Sequence, residues 1–296
     1  MCYAVGRVHR FSTNIKRVNA DGRFNGLVNV LVKEKKKKKG ERRLFTGTIL
    51  FDPVHLYAVL GSKKPKKFFV NEFSDLFFEA LPMALIIEHF KVFEGAHWHT
   101  YQALTKRDKR LAEVNEAVLA EFGKWPANLW MGVSVCSAAE KEMNRIDKLG
   151  ATEASLKWIS FEPWISDLNR PLRESVPQLR KLLKRNQISW VVVGGESGAK
   201  NETNMMTLED ARYLMSESKA VGCRVHFKQL GTALAIQLGV YSTNGDGEHR
   251  AKGGCPDQWP ADLNVREWPE TVWSHYQAPD NFRRLYQTDE CQRFGE

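Results

Sequence analysis

The sequence predicts an α/β fold of parallel βα repeats, curled into a partial barrel, and three observations predict it. Strand-like runs rich in Val, Ile, Phe and Trp recur along the chain. Several are apolar on both faces, as strands buried within a parallel sheet are. From Lys67 onward they return at an interval of roughly 30 residues, the length of one βαβ unit, with amphipathic segments between them.

The strand candidates, in order, are Leu44–Phe51, Lys67–Asn71, Thr100–Thr105, Leu129–Val135, Lys157–Phe161, Ser189–Gly194 and Arg224–Lys228. Trp190-Val191-Val192-Val193-Gly194 is the clearest of them. Helical spacing places Leu85, Ile86, His89, Phe90 and Phe93 on one side of Met83–Phe93, and Lys109–Phe122 and Lys141–Leu149 repeat the period. Pro171 opens a segment carrying Leu179, Leu182 and Leu183, and proline is tolerated in a first helical turn. Thr207-Leu208-Glu209-Asp210 starts a further helix through Ala220 with a capping-box pattern, and Gly222 stops it. No glycine-rich dinucleotide turn follows an early strand, which favours a closed or partly open barrel of TIM type over a flat sheet. Residues 1–238 read as this βα-repeat domain, with a Lys-rich loop at 33–43. Residues 239–296, polar and glycine-rich, read as a C-terminal extension.

Composition narrows the function classes. At 43% hydrophobic residues over 296 positions the chain can bury a substantial core. Its best apolar stretch, Leu81–Phe93, is interrupted by Glu88, His89 and Lys91, so no membrane span is expected. The start Met1-Cys2-Tyr3-Ala4 lacks a signal-peptide layout, and the expected location is cytoplasmic. Five scattered cysteines argue against a disulfide framework and supply no spaced metal-ligand set. The net charge of +9 points to acidic partners, but much of it comes from one run between Lys33 and Arg43. Such a run reads first as a solvated loop and second as a nucleic-acid contact. Lys63-Lys64-Pro65-Lys66-Lys67 is a second cluster, and its plain reading is protection of a sheet edge.

Ligands of parallel α/β folds sit at the C-terminal ends of the strands. Polar residues fall at those places here: Asn71, Ser74 and Asp75; Lys106; Ser134; Glu162; Gly194, Gly195, Glu196 and Ser197; Lys228 and Gln229. Carboxylates, hydroxyls and two lysines together suit a zwitterionic, hydroxyl-bearing ligand. The Gly194-Gly195-Glu196-Ser197-Gly198 run lacks a phosphate-loop lysine, so its glycines are read as allowing close approach of a ligand to backbone. His97-Trp98-His99 presents two imidazoles without a third ligand nearby.

Five of these stretches, in order, carry a resemblance: Phe69-Val70-Asn71-Glu72-Phe73-Ser74-Asp75-Leu76-Phe77, Leu104-Thr105-Lys106-Arg107, Trp125-Pro126-Ala127-Asn128-Leu129-Trp130-Met131-Gly132-Val133-Ser134, Ser160-Phe161-Glu162-Pro163 and Gly194-Gly195-Glu196-Ser197-Gly198. With Phe227-Lys228-Gln229-Leu230-Gly231, where leucine stands in place of the usual tryptophan, they resemble the bacteriophage gp-thirty-seven/gp-sixty-eight family. The match runs from about Phe45 to Gly231 and resumes around Arg266-Glu267-Trp268-Pro269. That family, itself of unknown function, resembles radical S-adenosylmethionine enzymes. The resemblance implies a partial βα barrel of that type, a four-iron, four-sulfur cluster held by three cysteines, and S-adenosylmethionine as cofactor.

On the same resemblance Cys2, in Cys2-Tyr3-Ala4, is the last of the three cluster cysteines. Asn71, Ser74 and Asp75 line the polar end of the cofactor. Ser134, Glu162 and Glu196 serve its ribose or amine, and Lys106 and Lys228 face a carboxylate or the substrate. The two other cluster cysteines would lie ahead of Met1, so the chain as written cannot form the usual cluster. Two readings follow: a chain shortened at its N-terminus, or a relative that keeps the scaffold and binds without radical chemistry. A different class of function is a nucleic-acid-binding or phage accessory protein that uses the Lys-rich segment.

Overall fold

Six parallel strands lie side by side in the order in which the chain makes them. The computed structural model describes residues 28–35, 38–45, 49, 51, 53–71, 74–198, 204–240 and 253–270. An antiparallel hairpin of β1 (Val28–Lys35) and β2 (Lys38–Phe45) comes first. Then follow α1 (Pro53–Ala58), β3 (Lys67–Phe69), α2 (Met83–Gly95), β4 (Thr100–Thr105), α3 (Asp108–Phe122), β5 (Leu129–Ser134), α4 (Glu140–Gly150) and β6 (Leu156–Trp164). The chain continues through α5 (Leu172–Ser175), α6 (Leu179–Arg185), β7 (Ile188–Gly195), α7 (Leu208–Lys219), β8 (Arg224–Gln229) and α8 (Thr232–Gln237). Strand order β3-β4-β5-β6-β7-β8 with intervening helices is a curled half-barrel, the partial TIM-barrel-like repeat that the spacing implies.

One face of the sheet packs against the helices. It presents Tyr101 and Ala103 from β4, Met131 and Val133 from β5, Ile159 and Phe161 from β6, Val191 and Val193 from β7, and Val225 and Phe227 from β8. The helices answer with residues three and four apart: Ile86, Phe90 and Phe93 on α2, Leu111, Val114 and Val118 on α3, Ile146 and Leu149 on α4. The alternate strand positions form a second apolar layer of Trp130, Trp158, Trp190 and Val192, to which no helix among the described residues contributes. Both faces of the central strands are therefore covered, which is why β5 and β7 read as largely apolar runs and not as alternating ones. Gly132 makes this inner layer possible: a Cβ there would lie 2.3 Å from the Trp158 ring, so the indole occupies the space a side chain would need.

Thr207 caps α7 as expected, its hydroxyl accepting from the Asp210 amide at 3.1 Å. Asp210 itself is buried; its carboxylate accepts from Trp164 Nε1 and from the Leu172 amide, tying α7 to β6 and α5.

Several expectations need correction. Leu44–Phe51 is not one strand: β2 ends at Phe45, and Pro53 opens α1. The segment after Pro171 is two short helices, because Val176-Pro177 interrupts it and proline has no amide to continue the ladder. Of the Lys-rich run 33–43, expected as a loop, residues 33–35 lie in β1 and residues 38–43 in β2. The polar extension after residue 238 contributes to the core over 253–270: Trp259 packs edge-on against Phe227, Leu263 is fully buried, and Arg266 bridges to His226 beside β8. No helix among the described residues is long and apolar enough to cross a membrane.

Candidate functional site

The C-terminal ends of β5, β6, β7 and β8 bring together the most concentrated set of polar groups on the face turned away from the helices. Residues two apart in a strand share a face, so Trp158, Ser160 and Glu162 form one column on β6. Ser134 at the end of β5 stands opposite Ser160 in register, and both are buried. Beyond them the Glu162 carboxylate accepts from the Lys228 ammonium of β8 at 2.9 Å. The two side chains are unequal: Glu162 is 17% exposed and Lys228 54%, so the lysine reaches solvent while the carboxylate is largely covered. Gly194 lies between their strands, where a Cβ would make ordinary 3.4 Å contacts with Glu162 and Gln229.

The strand ends are held by groups behind them. The Arg145 guanidinium, nearly buried on α4, donates to the Ser134 carbonyl at 3.0 Å, and Glu142 accepts from the Cys136 amide. Gln229 is buried and donates to the Gly195 carbonyl at 2.8 Å. Gly195 departs from its expected role: a Cβ there would sit 2.2 Å from the Leu230 carbonyl oxygen, so the glycine admits the neighbouring chain.

The other expected residues lie apart from this column. Asn71 takes φ +56° in the turn after β3, where its carbonyl accepts from the Ser74 amide. Asp75 accepts from Thr105 Oγ1 at 2.9 Å and from the Phe77 amide, with the Arg107 guanidinium at 3.5 Å. Burial nonetheless raises its pKa above the usual carboxylate value. Lys106 and Ser197 are exposed. Glu196 turns its carboxylate to the Asn204 amide and side chain, closing the loop after β7, while its carbonyl accepts from Thr232.

Sequence reading named Thr105 and Arg107 among the polar strand ends but left Ser160, Gln102 and His226 out of the site. The period-two column Trp158-x-Ser160-x-Glu162 was the available signal for Ser160. His226 and Gln102 are buried on the inner side, with His226 Nδ1 and Gln102 Nε2 lacking hydrogen-bond partners. Desolvation, reinforced by Arg266 and Lys228, lowers the His226 pKa to about 4. The unfolded chain therefore takes up this proton first as pH falls, and stability drops between pH 6.5 and 4 by about 3 kcal/mol at most. His226→Phe is expected to flatten that part of the acid limb in urea melts from pH 7 to pH 4; an unchanged slope would place the acid sensitivity elsewhere.

A cluster was tested against the cysteines. Cys136 follows β5, Cys223 precedes β8 and Cys255 lies in the C-terminal segment, all free and all on different parts of the fold. The Cys223 thiol donates to the Ile188 carbonyl, and burial pushes its pKa up to about 11, away from thiolate chemistry. Among the described residues no group of three or more His, Cys, Asp or Glu is placed to hold a metal ion, and Cys2 lies outside the described residues. Three thiolates for an iron–sulfur cluster are thus not found there, and no chemical step is routed through one.

Known proteins place the chain as follows. No curated protein and no solved structure matches it. A family model described as a protein of unknown function (DUF5131) matches residues 1–275, nearly the whole chain. By that match the chain belongs to the DUF5131 family, whose function is unknown.

Proposed function

We propose that this chain binds S-adenosylmethionine, or a zwitterionic nucleoside of the same chemistry, across the ends of β5–β8, on a scaffold of radical S-adenosylmethionine type. The observation that carries the reading is the Glu162–Lys228 pair: opposite charges 2.9 Å apart at the strand ends, above the paired Ser134 and Ser160. An amino-acid moiety supplies the matching amine and carboxylate, and the serine hydroxyls suit a ribose. In this reading Asn71, Ser74, Asp75 and Lys106 form the rim on the β3–β4 side, and Glu196 and Ser197 the rim beyond β7. The motif resemblance selects S-adenosylmethionine from the ligands that this chemistry fits. The proposal concerns binding alone.

Calorimetric titration of the full chain with S-adenosylmethionine tests it. Lys228→Met and Glu162→Gln are each expected to weaken binding about tenfold or more, equivalent to about 1.4 kcal/mol. Glu162→Gln is expected to shift the melting temperature little, because it removes the largely covered charge and keeps a group of the same shape. Equal affinity in wild type and both variants would show that the pair is only a link between β6 and β8.

A second reading rests on the basic hairpin, in which Lys35 and Lys38 are paired across β1 and β2. It is a nucleic-acid-binding accessory protein, whose binding weakens steeply with salt and is lost on deleting Lys35–Lys39.

A further inference from the structure

At the opposite end of the sheet, where the strands begin, aromatic and basic groups gather around β3. The ammonium of Lys67 lies over two indoles, 4.8 Å from the ring centre of Trp268 and 5.4 Å from that of Trp130. Trp268 comes from the C-terminal segment that runs beside β8, so this contact spans the two edges of the half-barrel. Trp268 also packs within the fold, with ring centres 4.8 Å from Trp190 and 5.1 Å from His226. The indole is still 43% exposed. Phe69, two residues after Lys67 and so on the same strand face, is 48% exposed. Opposite Phe69 in register stands Gln102, 8% exposed, with its Nε2 donor unpartnered. Lys64 and Lys66 are exposed immediately before the strand.

A lone exposed aromatic is ordinary, but two beside a cluster of lysines form a candidate contact surface, and a buried amide donor without a partner among the described residues needs a reason too. The neighbouring acids do not supply it. The Glu267 carboxylate accepts from the Val225 amide, and Glu270 pairs with Arg224 at 3.7 Å.

We propose that this patch is a stacking platform for single-stranded nucleic acid, with bases on Trp268 and Phe69 and phosphates along Lys64, Lys66 and Lys67. Aromatic faces accept any base, and lysines follow the backbone, which is how sequence-tolerant single-strand sites are built. The platform is at the far end of the strands from Glu162 and Lys228 and does not depend on the ligand proposed there.

The test is fluorescence anisotropy of a labelled ten-nucleotide oligothymidylate with the full chain across a salt series. Binding is expected, with a log–log salt slope of about −2, from three lysines at about −0.7 each. Phe69→Ala and Trp268→Ala are each expected to weaken it about tenfold, within the range for loss of one stacked base. Phe69→Ala removes an exposed side chain and guards against a folding defect in Trp268→Ala; Trp268→Phe should restore most of the affinity. Deleting Lys35–Lys39 should leave binding in place. Loss of all binding on that deletion would assign the oligonucleotide to the hairpin and overturn the platform. So would undiminished binding by both aromatic variants. Equal affinity for heparin, which has no bases, with the same indifference to Trp268, would make the surface a site for an acidic macromolecule and would also overturn it.

Discussion

Trp190→Ala is expected to lower the unfolding free energy by about 3–5 kcal/mol, the usual range for truncating a large buried aromatic. Trp190 is the centre of the inner layer. Its ring stands 5.0 Å from that of Trp158, 5.7 Å from Trp130 and 4.8 Å from Trp268, and its Nε1 donates to the Glu267 carbonyl at 3.1 Å. Truncation opens a cavity that the rigid strands cannot close, orphans that carbonyl, and releases the C-terminal segment from β8. Among the described residues no helix packs on this face, so none is placed to fill the gap. Urea unfolding followed by circular dichroism measures the loss. A change under about 1 kcal/mol would mean that the inner layer is not packed as described.

Two adjacent glycines should behave in opposite ways. Gly195→Ala places a methyl group 2.2 Å from the Leu230 carbonyl oxygen and 2.9 Å from its carbon. These are backbone atoms, so no rotamer change relieves the overlap; the ends of β7 and β8 must separate. Gly231 meets Gly195 in the same way from the other side, with a Cβ there 2.7 Å from the Gly195 carbonyl carbon. The expected effect is about 3 kcal/mol or more, the upper end of overpacking, with loss of the Gln229 bond to the Gly195 carbonyl. Gly194→Ala makes only 3.4 Å contacts with the Glu162 and Gln229 side chains and should change stability by less than about 1 kcal/mol. Melting temperatures of the two variants compare them directly. Equal losses would show that the close approach of the two chains is not as tight as described.

The contrast shows what could be read in advance. Strands β5, β6 and β7 were legible because a parallel strand covered on both faces is a largely apolar run, and such runs survive in sequence without knowledge of the partner; β3, β4 and β8 were legible from their aromatic and β-branched residues and from the repeat interval. Their boundaries fell close to the observed ones, as with Thr100–Thr105. The helices α2, α3, α4 and α7 were legible from apolar spacing and, in α7, from the Thr207 cap. What the helices do not cover was not legible. Nothing local says that Trp130, Trp158 and Trp190 face one another, because their proximity comes from strand register. The glycine pair read as a ligand-approach site, yet only the fold shows that Leu230 occupies the space beside Gly195. Polar composition hid the packing role of the C-terminal segment, in which Trp259 and Leu263 are isolated apolar residues in a hydrophilic stretch. Among the candidate site residues, Ser134, Glu162, Gly194, Lys228 and Gln229 come together because consecutive parallel strands end at one edge. Asp75 binds Thr105 and Arg107 at the end of β4, and Glu196 binds Asn204 eight residues on; contacts of that kind leave no periodic signal.

The most direct test of the ligand site is a crystal structure of the full chain with S-adenosylmethionine. The account predicts the methionyl carboxylate at Lys228, the amine at Glu162, and the ribose hydroxyls toward Ser134 and Ser160. Ligand density at the Trp268 end of the sheet, or saturating ligand with none at the ends of β5–β8, would contradict it.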